Sequence, residues 1–423
     1  MNIMKITAIS LGSYGDVMPF IALGKELKRR GHNFQLATFQ NFKEICIKNG
    51  IDFKKISGSP DELVSTLLSN SNNTRKEGIN GIKRLLEQYP NLYKEFYQAC
   101  RNSDLIIYMQ FGALAYHFAE KFNIPIVRTF VFPFDPTMKF CSLMPGLKRK
   151  TLISYLGYYA CYIFMSFASI SIVNKWRERL GLKKWHVFKN YRKIRKKNIL
   201  TLYQYDDVLA KRDESWGSHV RLTGNWIDEC SDYDSYIEYQ QLNKFLTENN
   251  EVIYVGFGSM IYDEMFFLYN IIIEIIVELQ LYAVLPTFCK EIVYKKHKDF
   301  INHFYFIDYL PFNKFLKRFK LAIHHGGSGT VHSCLRNGIP QFILAFGADQ
   351  LFWGQQCYEL GIGPKPINIK DGIEKYKIKE GIVQIINEIK FKKMSVKLSN
   401  KVSKKGVVVA ADIIEKNFEK LEN

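Results

Sequence analysis

The stretch that decides the fold is HHGGSGT, residues His324–Thr330. Before it, Lys320–Ile323 is short and β-prone; after it, Val331–Asn337 has helical spacing and stops at Gly338. A strand that ends in glycines at the start of a helix brings unpaired backbone N–H groups and the positive end of the helix dipole together. Glycines also let an anion approach the backbone closely. The stretch therefore predicts an anion-binding loop inside an α/β domain.

The same order of strand, glycine turn and helix opens the N-terminal part of the chain. Lys5–Leu11 is β-prone, Gly12–Asp16 breaks it, and apolar residues then recur at helical spacing from Val17 to a stop at Gly31. Further apolar runs predict strands at Phe34–Phe39, Leu105–Met109, Ile126–Phe130, Glu251–Phe257, Tyr282–Leu285, Tyr305–Ile307 and Gln341–Leu344. This alternation is typical of parallel sheets covered by helices.

The composition is that of a globular protein with an excess of positive charge. A chain of 423 residues is long enough for two domains. Hydrophobic residues make up 47% of it and charged residues 24%, and the net charge of +18 favours anionic partners. None of the eight cysteines forms a CxxC pair, so we expect reduced core thiols, no zinc site and a cytoplasmic protein. The N-terminus does not resemble a secretory signal, because Lys5 and Gly12–Asp16 interrupt its apolar stretch.

Two segments bear on membranes and nucleic acids. Thr151–Val173 has no charged residue and is long enough to span a bilayer, but its serines and tyrosines favour a buried helix pair or the wall of a lipophilic pocket. Lys183–Lys197 contains eight Lys or Arg and three aromatic residues, which is typical of a solvated amphipathic helix. Docking to acidic lipid is the second interpretation of that segment. No nucleic-acid-binding motif accompanies it, so nucleic acid is not an expected partner.

The glycine loop and two runs that follow it resemble the donor-binding motif of family 1 glycosyltransferases. The three runs are His324–Thr330, Gly338–Gln341 and Gly347–Trp353. The similarity extends to Gly12–Pro19, Val220–Trp226 and Tyr254–Met260. It is strongest toward the branch of sterol, antibiotic and macrolide glucosyltransferases. The resemblance implies the α/β fold called GT-B, in which two Rossmann-like domains with parallel sheets face each other across a cleft.

The resemblance also implies a domain organisation. Residues 1–227 are expected to bind the acceptor, 228–250 to form a polar and acidic linker, and 251–400 to bind a nucleotide-sugar donor. Residues 401–423 have the apolar spacing of an amphipathic helix and are expected to cross back to the N-terminal domain. The acceptor pocket is expected within Ser57–Lys197, whose many Phe, Tyr, Leu and Ile residues favour a lipophilic acceptor.

Each motif residue receives a role from the same resemblance. Asp349 and Gln350 are expected to bind hydroxyl groups of the donor sugar, and Tyr309 with Leu310 to contact the nucleobase. The donor diphosphate is expected to contact residues of three loops: Ser13, Ser259, His324, His325, Gly327, Ser328, Gly329 and Thr330. Whether His325 touches the diphosphate directly or only supports the loop stays open.

Asp16 stands three residues before Pro19, where many family members carry the histidine that deprotonates the acceptor. A carboxylate acts as a general base when burial raises its pKa towards the working pH. As the base, Asp16 would let the acceptor hydroxyl attack the anomeric carbon opposite the nucleotide, which inverts the configuration. The alternative is that Asp16 only caps the helix that begins at Val17.

The predicted function is that of an inverting hexosyltransferase that needs neither cofactor nor metal. It would move a sugar from a UDP-sugar, or a TDP-sugar, to a lipophilic hydroxyl compound such as a polyketide, sterol or lipid. Asp232-Tyr233-Asp234 has the Asp-x-Asp pattern of manganese sites in another glycosyltransferase fold, but no apolar strand precedes it. Two alternatives stay open, a nucleotide-sugar 2-epimerase of the same fold and a non-catalytic membrane-associated relative. The expected location is the cytoplasm, with peripheral contact to the acidic inner face of a membrane as a further option.

Overall fold

In the computed structural model the chain divides into two compact units, each with its own parallel sheet. The structure describes residues 3–60, 62, 87–140, 152–188, 194, 196–227, 237–258 and 263–418. The first unit comprises Met1–Asp206, Arg212–Asp228 and Ser403–Asn423, and the second comprises Asp207–Lys211 and Glu229–Val402. The two predicted Rossmann-like α/β domains are confirmed.

The sheet of the first unit has seven parallel strands in the order β3-β2-β1-β4-β5-β6-β7. Its strands are β1 (Lys5–Ile9), β2 (Asn33–Phe39), β3 (Asp52–Ile56), β4 (Leu105–Tyr108), β5 (Ile126–Phe130), β6 (Thr201–Tyr203) and β7 (Val220–Leu222). The strand order reverses between β1 and β4. In such sheets ligands bind at the carboxyl ends of the two strands that flank this reversal.

Helices cover both faces of this sheet, so its central strands are buried on both sides and are nearly all apolar. The helices are α1 (Tyr14–Arg29), α2 (Lys43–Lys48), α3 (Leu92–Cys100), α4 (Ala115–Phe122), α5 (Leu152–Arg179) and, from the end of the chain, α14 (Gly406–Phe418).

The second unit repeats the arrangement with six parallel strands in the order β10-β9-β8-β11-β12-β13. The strands are β8 (Ile253–Gly256), β9 (Ala283–Leu285), β10 (Phe304–Phe306), β11 (Ala322–His324), β12 (Gln341–Ala345) and β13 (Ile367–Asn368). The helices are α6 (Ile237–Glu248), α7 (Asp263–Glu278), α8 (Cys289–Lys296), α9 (Phe312–Phe315), α10 (Ser328–Arg336), α11 (Ala348–Glu359), α12 (Lys375–Asn387) and α13 (Ile389–Ser399). Here the strand order reverses between β8 and β11, so the glycine loop after β11 lies where this fold binds ligands.

The C-terminal helix α14 packs against α1 within the first unit. Ala410, Ala411 and Ile414 are buried in the same core cluster as residues of α1. Glu415, also buried, pairs with Arg30 and with His32, whose Nε2 lies 3.0 Å from the carboxylate. The end of the chain is thereby part of the core of the N-terminal unit.

Two segments differ in structure from their expected form. Thr151–Val173 was expected to form either a pair of buried helices or the wall of a lipophilic pocket. From Leu152 on it belongs to the single 28-residue helix α5, so the helix pair is wrong. Within 228–250, the expected linker, Ile237–Glu248 is helix α6, and its Leu242 and Leu246 are buried in a core cluster of the second unit. The apolar spacing of these leucines explains the packing, since it gives the helix one buried face.

Candidate active site

The glycine loop of the second unit connects β11 to α10 at the reversal of the sheet. Gly327 precedes the helix in extended conformation, and the first helical hydrogen bond runs from Val331 N–H to the Gly327 carbonyl at 3.0 Å. Helix geometry therefore leaves the N–H groups of Ser328, Gly329 and Thr330 without acceptors inside the helix. Gly329 is exposed, and a Cβ added there would meet no atom within 4 Å. A helix start of this kind can bind an anion, and the open space lies beside Gly329.

The surroundings of His324 differ from those expected of a residue that contacts the diphosphate. Its side chain is fully buried, and its Nδ1 accepts a hydrogen bond from Gly326 N–H at 3.1 Å. The ring proton is therefore on Nε2, which donates to Gln341 Oε1 at 3.0 Å. Both nitrogens hold the loop in place, so we no longer assign His324 a direct diphosphate contact. Burial lowers the pKa of His324 to about 3, which keeps the imidazole neutral.

His325 belongs to the loop that follows β11, and its ring packs between Gly327 of that loop and Gly258 of the loop that follows β8. A Cβ on Gly258 would lie 3.3 Å from its Cε1, and a Cβ on Gly327 would lie 2.5 Å from its Nε2. Its Nδ1 is buried and has no hydrogen-bond partner in the described part of the chain. Because a buried polar atom is normally paired, this nitrogen is suited to a ligand. Burial lowers the pKa of His325 to about 4, so it acts as a neutral hydrogen-bonding group.

Asp349 and Gln350 lie in the first turn of α11, directly beside the glycine loop. A Cβ on Gly326, whose φ is +90°, would lie 2.9 Å from the Gln350 carbonyl oxygen. The Gln350 side chain accepts a hydrogen bond from Phe346 N–H at 2.7 Å, and its Oε1 is thus occupied within the protein. Asp349 is half-buried at the helix start. The structure thus brings the motif expected to bind sugar next to the loop expected to bind diphosphate.

The two residues expected at the nucleobase have different surroundings. The Tyr309 side chain is exposed, at 42% of its full accessible area. Leu310 is buried in a core cluster with Tyr239 and Phe315. We therefore assign Leu310 to packing that supports the loop and keep only Tyr309 as a candidate nucleobase contact.

Asp16 lies at the carboxyl end of β1 in the first unit, in the first turn of α1. The helix begins at Tyr14, with Ser13 as its N-cap residue. Asp16 is therefore the third helical residue, and the alternative that it caps a helix beginning at Val17 is wrong. Ser13 N–H donates to Asp16 Oδ2 at 2.7 Å, and the Ser13 hydroxyl lies 3.1 Å from the same oxygen. A Cβ on Gly12 would lie 2.3 Å from Oδ2, so only glycine fits beneath the carboxylate.

The second carboxylate oxygen of Asp16 is the candidate catalytic atom. Oδ1 makes no hydrogen bond to the described part of the chain, whereas Oδ2 is held by Ser13. Burial raises the pKa of Asp16 above the ordinary value of 3.8, and the two hydrogen bonds from Ser13 oppose that rise only in part. The arrangement fixes the carboxylate in orientation and leaves one oxygen to accept a proton. Both earlier interpretations of Asp16, helix stabilisation and proton acceptance, are therefore compatible.

Several sequence-based assignments fall outside the described residues. These are Ser259 and Asp232-Tyr233-Asp234, together with parts of the acceptor region, 63–86, 141–151 and 189–193. Among the described residues, no group of three His, Cys, Asp or Glu side chains is arranged to hold a metal ion.

A cavity of about 590 Å³ lies elsewhere in the first unit. Tyr116, Ile126, Lys197 and Leu200 line it, and it opens at the amino ends of β5 and β6. Asp16 lies at the carboxyl end of β1, at the opposite edge of the same sheet. This cavity is therefore separate from the candidate catalytic residue.

Gln341 is a supporting residue that the motif comparison included without a role. It is the first residue of β12, is 1% exposed and binds His324 Nε2. Gln341 opens the otherwise apolar strand QFILA. Because burying an unpaired polar group costs free energy, such a residue indicates a polar partner inside the protein.

Comparisons with known proteins match both halves of the chain. Residues 6–139 match the model described as glycosyltransferase family 28 N-terminal domain, and 294–415 match erythromycin biosynthesis protein CIII-like, C-terminal domain. The sterol 3-beta-glucosyltransferase of Debaryomyces hansenii is 28% identical over 385 residues, 86% of this chain and 24% of that protein. The chain thus spans about a quarter to a third of the length of the curated relatives that it matches.

Solved structures share the fold over nearly the whole chain. The glycosyltransferase of kitacinnamycin superposes with a TM-score of 0.70 at 16% identity, over 99% of this chain and 100% of that one. The spinosyn rhamnosyltransferase SpnG, solved with thymidine diphosphate, gives 0.64 at 14% identity, over 98% and 100%. The expected GT-B fold is confirmed by these structures.

Proposed function

We propose that the chain transfers a hexose from a nucleotide diphosphate sugar to a lipophilic hydroxyl compound, as a glycosyltransferase of the sterol and macrolide branch of family 1. The observation that carries the proposal is the loop His324–Thr330, at the reversal of the second sheet and against the helix start that holds Asp349 and Gln350. An anion site beside a carboxylate and an amide matches a sugar diphosphate better than free phosphate.

In the proposed reaction Asp16 Oδ1 accepts the proton of the acceptor hydroxyl. The oxygen of that hydroxyl forms the new bond to the anomeric carbon, and the bond from this carbon to the diphosphate breaks. The leaving diphosphate is stabilised by the N–H groups of Ser328, Gly329 and Thr330 and by His325, which are held in place before the reaction begins. A single displacement inverts the configuration. The helix start supplies positive charge to the diphosphate, and we propose that no metal ion is required.

The donor and acceptor are proposed at the level of chemical class. We propose UDP as the nucleotide and TDP as the second candidate, since SpnG was solved with thymidine diphosphate. A sterol is the first candidate acceptor, because the curated relatives are named sterol 3-beta-glucosyltransferases, and polyketides and other lipids follow. We propose a cytoplasmic location, peripheral to the inner face of a membrane that contains the acceptor.

The test is incubation of the full chain with UDP- and TDP-sugars and a mixed library of sterols, polyketides and lipids. Mass spectrometry should detect an acceptor that has gained one hexose, and a chelator should leave the yield unchanged. Formation of an altered sugar without acceptor would instead identify a 2-epimerase. Nucleotide-sugar binding without a product in any mixture would favour the non-catalytic relative.

A further inference from the structure

We propose that one face of helix α5, with exposed lysines near its C-terminal end, docks on the surface of an anionic lipid bilayer. This surface consists of Leu152, Ile153, Leu156 and Phe167 on α5, together with Phe188, Lys175, Lys183 and Lys184, and is called the α5 surface below. The proposal goes beyond glycosyl transfer, because it concerns binding to lipid without donor or acceptor.

The α5 surface begins with an exposed apolar stripe. Leu152, Leu156 and Phe167 have 66%, 53% and 45% of their accessible area exposed, and Ile153 has 61%. Their spacing along the chain places them on one side of the helix, together with Ala160. In the most apolar 18 residues of α5, 22% of the residues are buried within the protein. Exposed apolar area of this extent marks a binding surface more often than a solvated one.

The opposite side of α5 is built into the first unit. Ile172 and Trp176 are buried in a core cluster with residues of α3 and α4. Arg177, 4% exposed, pairs with Glu120 at 2.8 Å, and near the other end Tyr158 donates to the Phe140 carbonyl at 3.3 Å. α5 is the one described helix that is long and apolar enough to cross a membrane. Crossing would break these contacts at both ends, so the helix is suited to lie on a membrane and not to span it.

Positive charge is concentrated in the part of the sequence that contains this helix. Between residues 139 and 200 the chain has fifteen Lys or Arg and one acidic residue, Glu178, which is +14 of the total charge of +18. Lys175, Lys183 and Lys184 are exposed. The ring of Phe188, 62% exposed, lies 6.2 Å from that of Phe167, which brings the basic segment to the apolar stripe.

The combination identifies the occupant as anionic lipid. A second copy of this chain would place two such basic regions against each other, which is unfavourable. A nucleic acid would match the charge but leave the apolar stripe uncovered. An anionic bilayer satisfies both, because acyl chains receive the apolar side chains and headgroups receive the lysines.

The experiment is flotation of the full chain with vesicles of phosphatidylcholine alone and of phosphatidylcholine mixed with phosphatidylglycerol, without donor or acceptor. We expect binding to the mixed vesicles that weakens as salt rises. The variant Leu152→Ser/Leu156→Ser/Phe167→Ser should lose at least about tenfold in vesicle affinity, since each side chain contributes buried apolar area. A control with three exposed apolar residues of the second unit replaced, Phe267→Ser/Tyr294→Ser/Ile389→Ser, should bind like wild type.

A charge variant tests the other half of the α5 surface. A basic residue close to an anionic bilayer raises affinity by about fivefold, so Lys175→Glu/Lys183→Glu/Lys184→Glu should lose at least about a hundredfold on mixed vesicles. Reversal of Lys290, Lys317 and Lys397, exposed residues of the second unit, is the matched control. Circular dichroism and the unfolding midpoint of each variant should equal those of wild type, because all replaced side chains are at least partly exposed.

Three results would overturn the proposal. The first is no binding to either vesicle, or binding that both α5 surface variants retain. The second is a dimer in sedimentation velocity that the apolar variant dissociates, which would make the surface a self-association face. The third is tighter binding of the wild-type protein to a duplex oligonucleotide than to mixed vesicles. None of these depends on sugar transfer, so failure here is distinguishable from failure of the proposed function.

Discussion

At Asp16, one oxygen of the carboxylate is held by Ser13 while the other makes no hydrogen bond to the described chain. Asp16→Asn preserves the shape and the helix start but removes proton acceptance. Transfer should fall by about 10² to 10⁴, the range for loss of a general base. Donor binding, measured by titration, should stay nearly unchanged, since the glycine loop and helix start proposed to hold the diphosphate belong to the second unit. Turnover near the wild-type rate would restrict Asp16 to stabilising the helix.

The pH dependence of transfer follows from the same carboxylate. Asp16 acts as a base only when deprotonated, and burial raises its pKa above 3.8. The rate kcat/KM should therefore be constant at high pH and fall as the pH decreases through this raised value. His324 and His325, with pKa values of about 3 and 4, remain neutral over the working range and should add no step near 6.5. A pH–rate profile whose acid limb is retained in Asp16→Asn would contradict this account.

His324 and His325 are neighbours with opposite expected effects on substitution. His324→Ala removes the partner of Gln341 and Gly326 from a buried site and should cost about 2–4 kcal/mol in the free energy of unfolding. His325→Ala breaks no hydrogen bond of the described chain, so it should cost less in that free energy than His324→Ala. It should weaken donor binding by about tenfold, since it removes one hydrogen bond to a charged group. Urea unfolding and donor titration of both variants separate the two roles. The reverse pattern would restore His324 as the ligand contact.

The motif could not distinguish these two histidines, because it records residue types and not directions. β11 ends at His324, and side chains alternate between the faces of a strand, so the last strand residue points into the packed layer while the next one is free to follow the loop. Leu310 shows the same limit, since its position beside Tyr309 did not reveal that it belongs to the core. The structure places Asp349 and Gln350 beside the glycine loop because both motifs follow neighbouring parallel strands, and their contact with the sugar stays a prediction.

At the scale of elements, nine strands could be predicted from apolar runs and four could not. The nine predicted strands correspond to β1, β2, β4, β5 and β8–β12. The four that were not predicted, β3, β6, β7 and β13, have two to five residues and include three sheet edges. Short edge strands bury few side chains, and their sequences therefore carry little apolar periodicity.

Helix α14 offers a test of how the end of the chain stabilises the first unit. Glu415 and Asp412 both bind Arg30, but their side chains are 5% and 61% exposed. Glu415→Ala leaves Arg30 and His32 without their buried partner and should cost about 3–5 kcal/mol in the free energy of unfolding. Asp412→Ala should cost less than about 1 kcal/mol, as is usual for exposed pairs. Denaturant unfolding measures both, and equal effects would exclude a special role for the buried carboxylate.

At the scale of the whole molecule, the two units divide the proposed work. Each has a parallel sheet whose order reverses once, and each presents its candidate residues at that reversal: Asp16 after β1, and the glycine loop after β11. This repetition was visible in the sequence as two strand, glycine-loop and helix openings. The distribution of charge was less apparent, because the total of +18 does not reveal that +14 lies between residues 139 and 200.

The central claim is that a sugar diphosphate binds at the helix start after β11, and Gly329 tests it most directly. Because a Cβ at Gly329 meets no protein atom within 4 Å, Gly329→Ala and Gly329→Val should leave the unfolding midpoint at or above that of wild type. Calorimetric titration with UDP-glucose should show one site in wild type. Affinity should fall at least about tenfold in Gly329→Ala and further in Gly329→Val, as the side chain fills the space of the anion. Equal affinity in all three proteins, with their folds intact, would contradict the assignment of the donor site.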